Sequence, residues 1–202
     1  MKYRNTEENY LKARIAEGEH THQDFKFAIS DSRKIAKSIS AFANTEGGRL
    51  LIGVKDNGNI AGIRSEEEIY MIEAAASRYC IPPASFKSQT YHIDGKSILE
   101  INIEESIHKP VCAIDEQNRA WAYVRIHDEN ILATPIHLNM WKQNLNEEET
   151  IIAYTEREQQ ILDILKPNKL LTLNQCCRQA RLGRKETCRL LADFIRFGLV
   201  EM

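Results

Sequence analysis

The feature that most constrains this chain is the run Arg49-Leu50-Leu51-Ile52-Gly53-Val54. From Leu50 onward it is apolar on both alternating faces, so a strand made from it can turn neither face to water. It must lie inside a sheet with cover on both sides. Gly47-Gly48 precede it, and Asp56-Asn57-Gly58 follow as a turn signal. One covering element is evident directly upstream. Asp31 is a good N-cap, and Ile35, Ile39 and Phe42 follow at helical spacing with Ala36 and Ala43 on the same side. We therefore expect a helix over 31–43, ending near Asn44, packed on a sheet whose central strand is 49–54.

The remaining elements follow from period and punctuation. A helical pattern begins at Thr6, runs to about Ala16 and stops at Gly18. Phe25, Phe27 and Ile29 alternate with Asp24, Lys26 and Ala28, which predicts a strand over 24–29. Residues 60–63 resume the sheet, 66–79 form a second helix closed by Pro82-Pro83, and strands 86–92 and 97–103 flank the turn Asp94-Gly95. A further strand is expected over 119–126, a short helix over 135–141 and a polar linker over 142–154.

Beyond the linker the pattern is helical. Thr155-Glu156-Arg157-Glu158 is a capping box opening a helix with Ile161, Leu162 and Leu165. Thr172 caps a second helix through Ala180, and Gly183 marks a turn. A third helix over 184–197 carries Cys188, Leu191, Ala192 and Ile195 at i, i+3, i+4 and i+7; Gly198 closes it and Leu199-Val200 begin a strand. The tight turn before the third helix makes a helix-turn-helix layout. With Met202 as the last residue, no two-stranded wing is expected after that helix. The expected architecture is α+β: a mixed sheet with packed helices over 1–141, then a small, mostly α winged-helix-like domain over 155–202.

Charge narrows the choice of partner. The net charge is −2, but residues 151–202 hold nine Lys/Arg against six Asp/Glu, while the first 150 hold 18 against 23. Lys169, Arg178, Arg181, Arg184, Lys185 and Arg189 fall within 21 residues that contain one acid, Glu186. Such a cluster is either an electrostatic footprint for nucleic acid or a solvated helix face. No apolar stretch is long enough to span a membrane, and the first residues lack the apolar core of a signal peptide, so no membrane partner and a cytoplasmic location are expected. Five cysteines (80, 112, 176, 177, 188) show no C-x-x-C spacing, which argues against a disulfide framework or a zinc ribbon. The H-x-H pair His20 and His22 lacks a third ligand. Trp121 and Trp141 are expected as core residues.

Two motifs carry a resemblance. Gly18-Glu19-His20-Thr21-His22-Gln23-Asp24-Phe25-Lys26 resembles the opening G-E-x-x-x-x-E-F-K of the Schlafen Alba-like (AlbA_2) domain family. Ala41-Phe42-Ala43-Asn44-Thr45-Glu46-Gly47-Gly48, then Leu51-Ile52-Gly53-Val54-Lys55-Asp56-Asn57-Gly58 and Ile60-Ala61-Gly62, resemble its A-F-A-N-T-x-G-G…I-G-V-x-D-x-G-x-I-x-G core. His108-Lys109-Pro110 and Tyr123-Val124-Arg125 with Asn130 and Ala133 also fit, so the resemblance runs from about residue 10 to 135. It implies the family's α+β domain, often joined to a winged helix, and work on nucleic acid.

Some members resemble RNA endonucleases with three carboxylates near a basic groove. Carried over by motif, Glu19, Asp24 and Asp56 are the candidate catalytic and metal-binding residues, with Mg or Mn as the cation of a nuclease. Asp24 stands where the motif has glutamate and is one methylene shorter. Lys26, Arg49, Lys109 and Arg125 occupy matched positions suited to phosphate contacts, beside Asn44, Gly47 and Gly48. In the C-terminal helices, Arg184, Lys185 and Arg189 could reach phosphates or base edges.

As residues alone they also admit structural roles. Glu19 can cap a turn, Asp24 can pair with Lys26 or Arg49, and Asp56 belongs to its turn. The glycines serve either a helix-to-strand turn or a close approach of backbone or phosphate. A divergent-ATPase role finds no support, since no G-x-x-x-x-G-K-[ST] loop occurs. The leading reading is a nucleic-acid-binding protein, a DNA-binding transcriptional regulator with DNA preferred over RNA and no enzymatic activity. The alternatives are a metal-dependent endoribonuclease of Schlafen type and a non-catalytic module that homodimerises through its helices.

Overall fold

A computed structural model describes residues 2–65, 67–144, 154–168 and 170–202. Residues 145–153 of the expected linker, Glu66 at the expected start of the second helix, and Lys169 of the basic cluster lie outside these described residues. The chain divides into two compact units, Met1–Leu132 and Ala133–Met202.

In the first unit, β1 (Gln23–Lys26), β2 (Gly48–Ile52), β5 (Lys96–Ile103) and β4 (Phe86–Ile93) form one sheet in the order β1-β2-β5-β4. The two-sided apolar strand is internal, as its sequence requires. β2 runs parallel to β1, with Phe25 beside Leu51, and antiparallel to β5, with Leu50 beside Ile101. Leu50 and Ile52 point to one face, where they meet Ile35, Ile39 and Phe42 of α2 (Ser32–Asn44) and Ile72 and Ala75 of α3 (Glu67–Arg78). Leu51 points to the other face, where Phe25, Tyr91 and Ile98 pack with Leu11 of α1 (Lys2–Ala16). Each fully buried Ile, Leu or Phe here contributes about 1.5–3 kcal/mol of transfer free energy.

The expected strand over 24–29 is shorter than its alternation suggests. It stops at Lys26, whose carbonyl takes the Gly53 N–H (2.8 Å), and Phe27 is exposed. The Asp94-Gly95 turn has both residues at positive φ, +47° and +75°, the type I′ geometry that matches strand twist.

A second sheet, β3 (Cys80–Ile81), β6 (Cys112–Ile114), β7 (Ala120–Ile126) and β8 (Glu129–Leu132), lies against α2. Helix α2 is therefore covered by sheets on two sides. This explains why Ser38, Ser40 and Asn44 are buried along with its apolar positions. Of this sheet only β7 is evident from periodicity; β3, β6 and β8 are too short to show one.

The second unit is helical: α4 (Pro135–Asn144), α5 (Glu156–Leu165), α6 (Leu173–Ala180) and α7 (Arg184–Arg196). Its core holds Ile136, Ile161, Cys176, Ala180, Leu190, Leu191, Ala192 and Phe194. Helix α4, which the sequence groups with the first domain, packs here against α7. The expected capping box forms between Thr155 and Glu158, and Thr172 makes a second one with Gln175. Leu199 and Val200 form a bend rather than a strand, because among the described residues no strand lies beside them to pair with. Among the described residues no helix is long and apolar enough to cross a membrane.

Candidate nucleic-acid interface

The A-F-A-N-T segment does its work at the end of α2. Ser40 and Asn44 are one helical turn apart and face the second sheet. The β6–β7 ladder ends at the Cys112–Ala122 pair, so the backbone groups of Val111 and Tyr123 need other partners. Asn44 bridges that gap. Its Oδ1 accepts from Val111 N (2.7 Å), and its Nδ2 donates to Val111 O (2.8 Å) and Tyr123 O (2.9 Å). Ser40 Oγ donates to Val111 O (2.7 Å) and accepts from Tyr123 N (3.1 Å). Thr45 Oγ1 accepts from Arg125 N (3.0 Å). The helix end thus replaces a missing strand. Asn44 is only 4% exposed, so its expected role as a nucleic-acid contact gives way to this internal clamp.

Arg125 is corrected in the same way. It is 3% exposed and spends its donors inside the fold. Nη2 reaches Gln23 O (3.0 Å) and His20 O (3.3 Å), Nη1 reaches Asn130 Oδ1 (3.0 Å), and Asp24 Oδ1 stands at 3.5 Å. The guanidinium also lies 5.1 Å from the centre of the Phe42 ring. It bolts the second sheet to β1 and offers nothing to a phosphate.

The two glycines are required by packing. A Cβ on Gly48 would stand 2.3 Å from Phe42 Cδ1, and one on Gly47, at φ +74°, would stand 2.8 Å from Ile103 O. No ligand is needed to explain them. They border a shallow cleft with His22, Glu46, Arg49 and Asn102. There Arg49 Nη1 is buried without a hydrogen-bond partner, which leaves Arg49 the matched cation with a donor to spare. Lys26 is engaged with Asp24 (2.7 Å) and Phe25 O (2.8 Å), and Lys109 with Glu105 (2.6 Å) and Thr45 O (3.2 Å).

The structure brings together two of the three expected carboxylates. Glu19 accepts from Phe25 N (2.8 Å) and lies against Asp24. Burial, and then the neighbouring Asp24, push the Glu19 carboxyl above its usual range, against the opposing pull of the Phe25 N–H and Lys26. Asp24 is held by Lys26 and Arg125, the pairing with Lys26 that the residues themselves admit. Asp56 sits exposed in the turn closed by Gly58 N to Lys55 O (2.7 Å). Among the described residues no group of three or more His, Cys, Asp or Glu side chains is arranged to hold a metal ion. This donor set does not fit a Mg or Mn centre, so no catalytic step is derived through one. His20 and His22 are occupied locally: His20 Nδ1 accepts from His22 N (3.1 Å), and His22 Nε2 stands 3.2 Å from Glu46.

On the second unit, Arg184, Lys185 and Arg189 are all exposed on α7. Arg184 donates to Asn174 Oδ1 (2.7 Å), and Arg189 to Asp193 (3.3 Å). The Arg184 contact is exposed and worth little, whereas Arg189 is held by a buried carboxylate.

Sequence reasoning missed Ser40 and Thr45, although the one-turn spacing of Ser40 and Asn44 was available to it. It also missed the exposure of Trp121, which is 39% accessible rather than part of the core.

A helix clamped between a mixed and an antiparallel sheet, with a helical unit after it, defines the class as α+β. The family described as Schlafen, AlbA_2 matches residues 19–134, and the chain belongs to that family. No curated protein sequence matches the chain. Among solved structures it is similar to the DIP2311 protein from Corynebacterium diphtheriae, at 14% identity and a TM-score of 0.49 over 84% of this chain. The chain spans 40% of that protein's length. It is also similar to the N-terminal domain of a RecG-related protein from Nitrosomonas europaea, at 18% identity and a TM-score of 0.41, over 72% of this chain and 95% of that one.

Proposed function

We propose that this is a nucleic-acid-binding protein, a DNA-binding regulator whose C-terminal unit is a winged-helix-like module with α7 as its recognition helix. The observation that carries the reading is the division of α7 into two faces. Cys188, Leu191 and Ala192 are buried in the helical core, while Arg184, Lys185 and Arg189 are exposed. Helix α6 precedes it across the short turn Arg181-Leu182-Gly183, with Arg181 left-handed at φ +53°. That is the spacing of a helix-turn-helix, in which the second helix enters a major groove.

The test is salt-dependent binding of the full chain to labelled duplex DNA. Replacing Arg184, Lys185 and Arg189 together by alanine removes up to three phosphate contacts. Each lost contact flattens the log–log salt slope by roughly 0.9. An unchanged slope would overturn α7 as the contact surface. The same binding series on structured RNA with and without manganese, read for cleavage as well as retention, tests the endoribonuclease alternative. Cleavage that requires manganese would favour the alternative.

A further inference from the structure

A cleft of about 330 Å³ opens in the first unit between the start of α2 and the turn joining β6 to β7. The turn is built around Asp115. Its carboxylate accepts from the backbone N–H groups of Gln117 (2.9 Å) and Arg119 (2.8 Å), from Arg119 Nε (2.8 Å) and from Trp121 Nε1 (2.9 Å). Desolvation works to raise the Asp115 carboxyl, but these donors outweigh it and hold it well below the usual carboxylate range. The indole of Trp121 is therefore anchored by its edge, with the Arg119 guanidinium 5.5 Å from the ring centre over one face, and the residue remains 39% exposed.

Helix α2 supplies the opposite wall. Lys34 and Lys37 are one turn apart and both exposed, and the Lys37 ammonium stands 5.9 Å from the centre of the Tyr123 ring. Arg33 holds its guanidinium 4.6 Å from the centre of the Tyr79 ring, with its Nε buried without a partner. Of the cleft's three acids two are committed elsewhere, and Glu116 is exposed. Asp31 caps α2 by accepting from Arg33 N (2.8 Å), and Asp115 serves the turn.

This differs from Lys26, Lys109 and Arg125 around the motif, which are paired inside the fold. Here the exposed ammonium groups of Lys34 and Lys37 line the same cleft as the Trp121 indole, which has one face under Arg119 and is still partly exposed. That combination binds a base by its face and a phosphate by its charge. A duplex keeps its base faces stacked against each other, so only an unpaired base can use the indole. We propose that this cleft is a subsite for an unpaired nucleotide of a single-stranded nucleic acid, its base stacked on Trp121 and its phosphate held by Lys34 and Lys37. The proposal rests on the nucleic-acid reading above and adds a second site to it, separate from α7.

The test uses the full chain carrying Trp141→Phe, which leaves Trp121 as the sole indole. Single-stranded oligothymidylate is titrated at low salt, with intrinsic fluorescence read alongside anisotropy of a labelled strand. Saturable quenching of Trp121 that tracks binding is expected, because stacking on a base quenches an indole. Lys34→Glu with Lys37→Glu leaves Trp121 in place and should weaken the single strand on the order of tenfold, while duplex binding by α7 is unchanged. Trp121→Ala should weaken it on the order of tenfold as well. Because that variant loses the bond to Asp115, the lysine pair is the decisive substitution. Strand binding without quenching, or insensitive to the lysine reversal, overturns the subsite and leaves the nucleic-acid reading standing. Absence of any binding to single strand or duplex overturns both. Equal quenching by a phosphoserine peptide would assign the cleft to a protein partner and overturn the proposal.

Discussion

Replacing Asn44 by alanine separates its internal role from the ligand contact that its motif suggests. The side chain holds Val111 N at 2.7 Å and Tyr123 O at 2.9 Å. Val111 O keeps its bond from Ser40 Oγ (2.7 Å), but the other two groups lose this partner. Each buried backbone group left unsatisfied costs about 1–3 kcal/mol, so the pair costs about 2–6 kcal/mol. That is a large part of a typical stability of about 5–15 kcal/mol, and it lowers the melting temperature by roughly 10 °C. Urea unfolding followed by Trp121 fluorescence in a Trp141→Phe chain reads the first unit directly. The midpoint should fall with an unchanged slope. Asn44→Asp should be worse at neutral pH, since its carboxylate would face the Val111 and Tyr123 carbonyls, and should partly recover in acid when the group can donate again. A loss under about 1 kcal/mol, accompanied by weakened oligonucleotide binding, would refute the clamp and restore Asn44 as a ligand contact.

Gly48→Ala drives a methyl against the fully buried Phe42 ring, 2.3 Å from Cδ1, and should cost about 1–3 kcal/mol or more in urea unfolding. Gly18→Ala meets nothing within 4 Å and bears only the backbone cost of φ +74°, so equal losses at the two positions would contradict the packing argument. The raised carboxyl of Glu19 makes a stability contribution that is fully present below its ordinary value near 4.5 and is lost as pH rises through the folded value. Glu19→Gln keeps an acceptor for Phe25 N and removes the charge beside Asp24. Its stability relative to the parent should therefore rise between pH 4 and pH 7 in paired thermal melts, and a relative fall over that interval would show that the charged form is the favoured one.

Signals that act over a few residues were readable from the chain. The Thr155 and Thr172 caps close hydrogen bonds three residues away, the Asp94-Gly95 turn needs only two positive φ angles, and the run after Arg49 shows its two-sided burial in its own composition. Each states its physics locally, so the central strand, the helix over α2 and the three C-terminal helices followed from the sequence. The positions of the charged and polar side chains did not. Arg125 finds Gln23 O across 102 residues, and Asn44 finds Tyr123 across 79. An arginine that is bolted into the core and one that faces a phosphate look alike in a motif. Trp121 was indistinguishable from a core tryptophan until Asp115 pinned its edge and Arg119 settled over one face, leaving the residue partly exposed. Glu19 and Asp24 lie five residues apart around one strand start and meet, whereas Asp56 belongs to a turn whose own hydrogen bonds hold it at the surface. Long-range placement depends on how two sheets close around one helix, and only the assembled tertiary structure decides it.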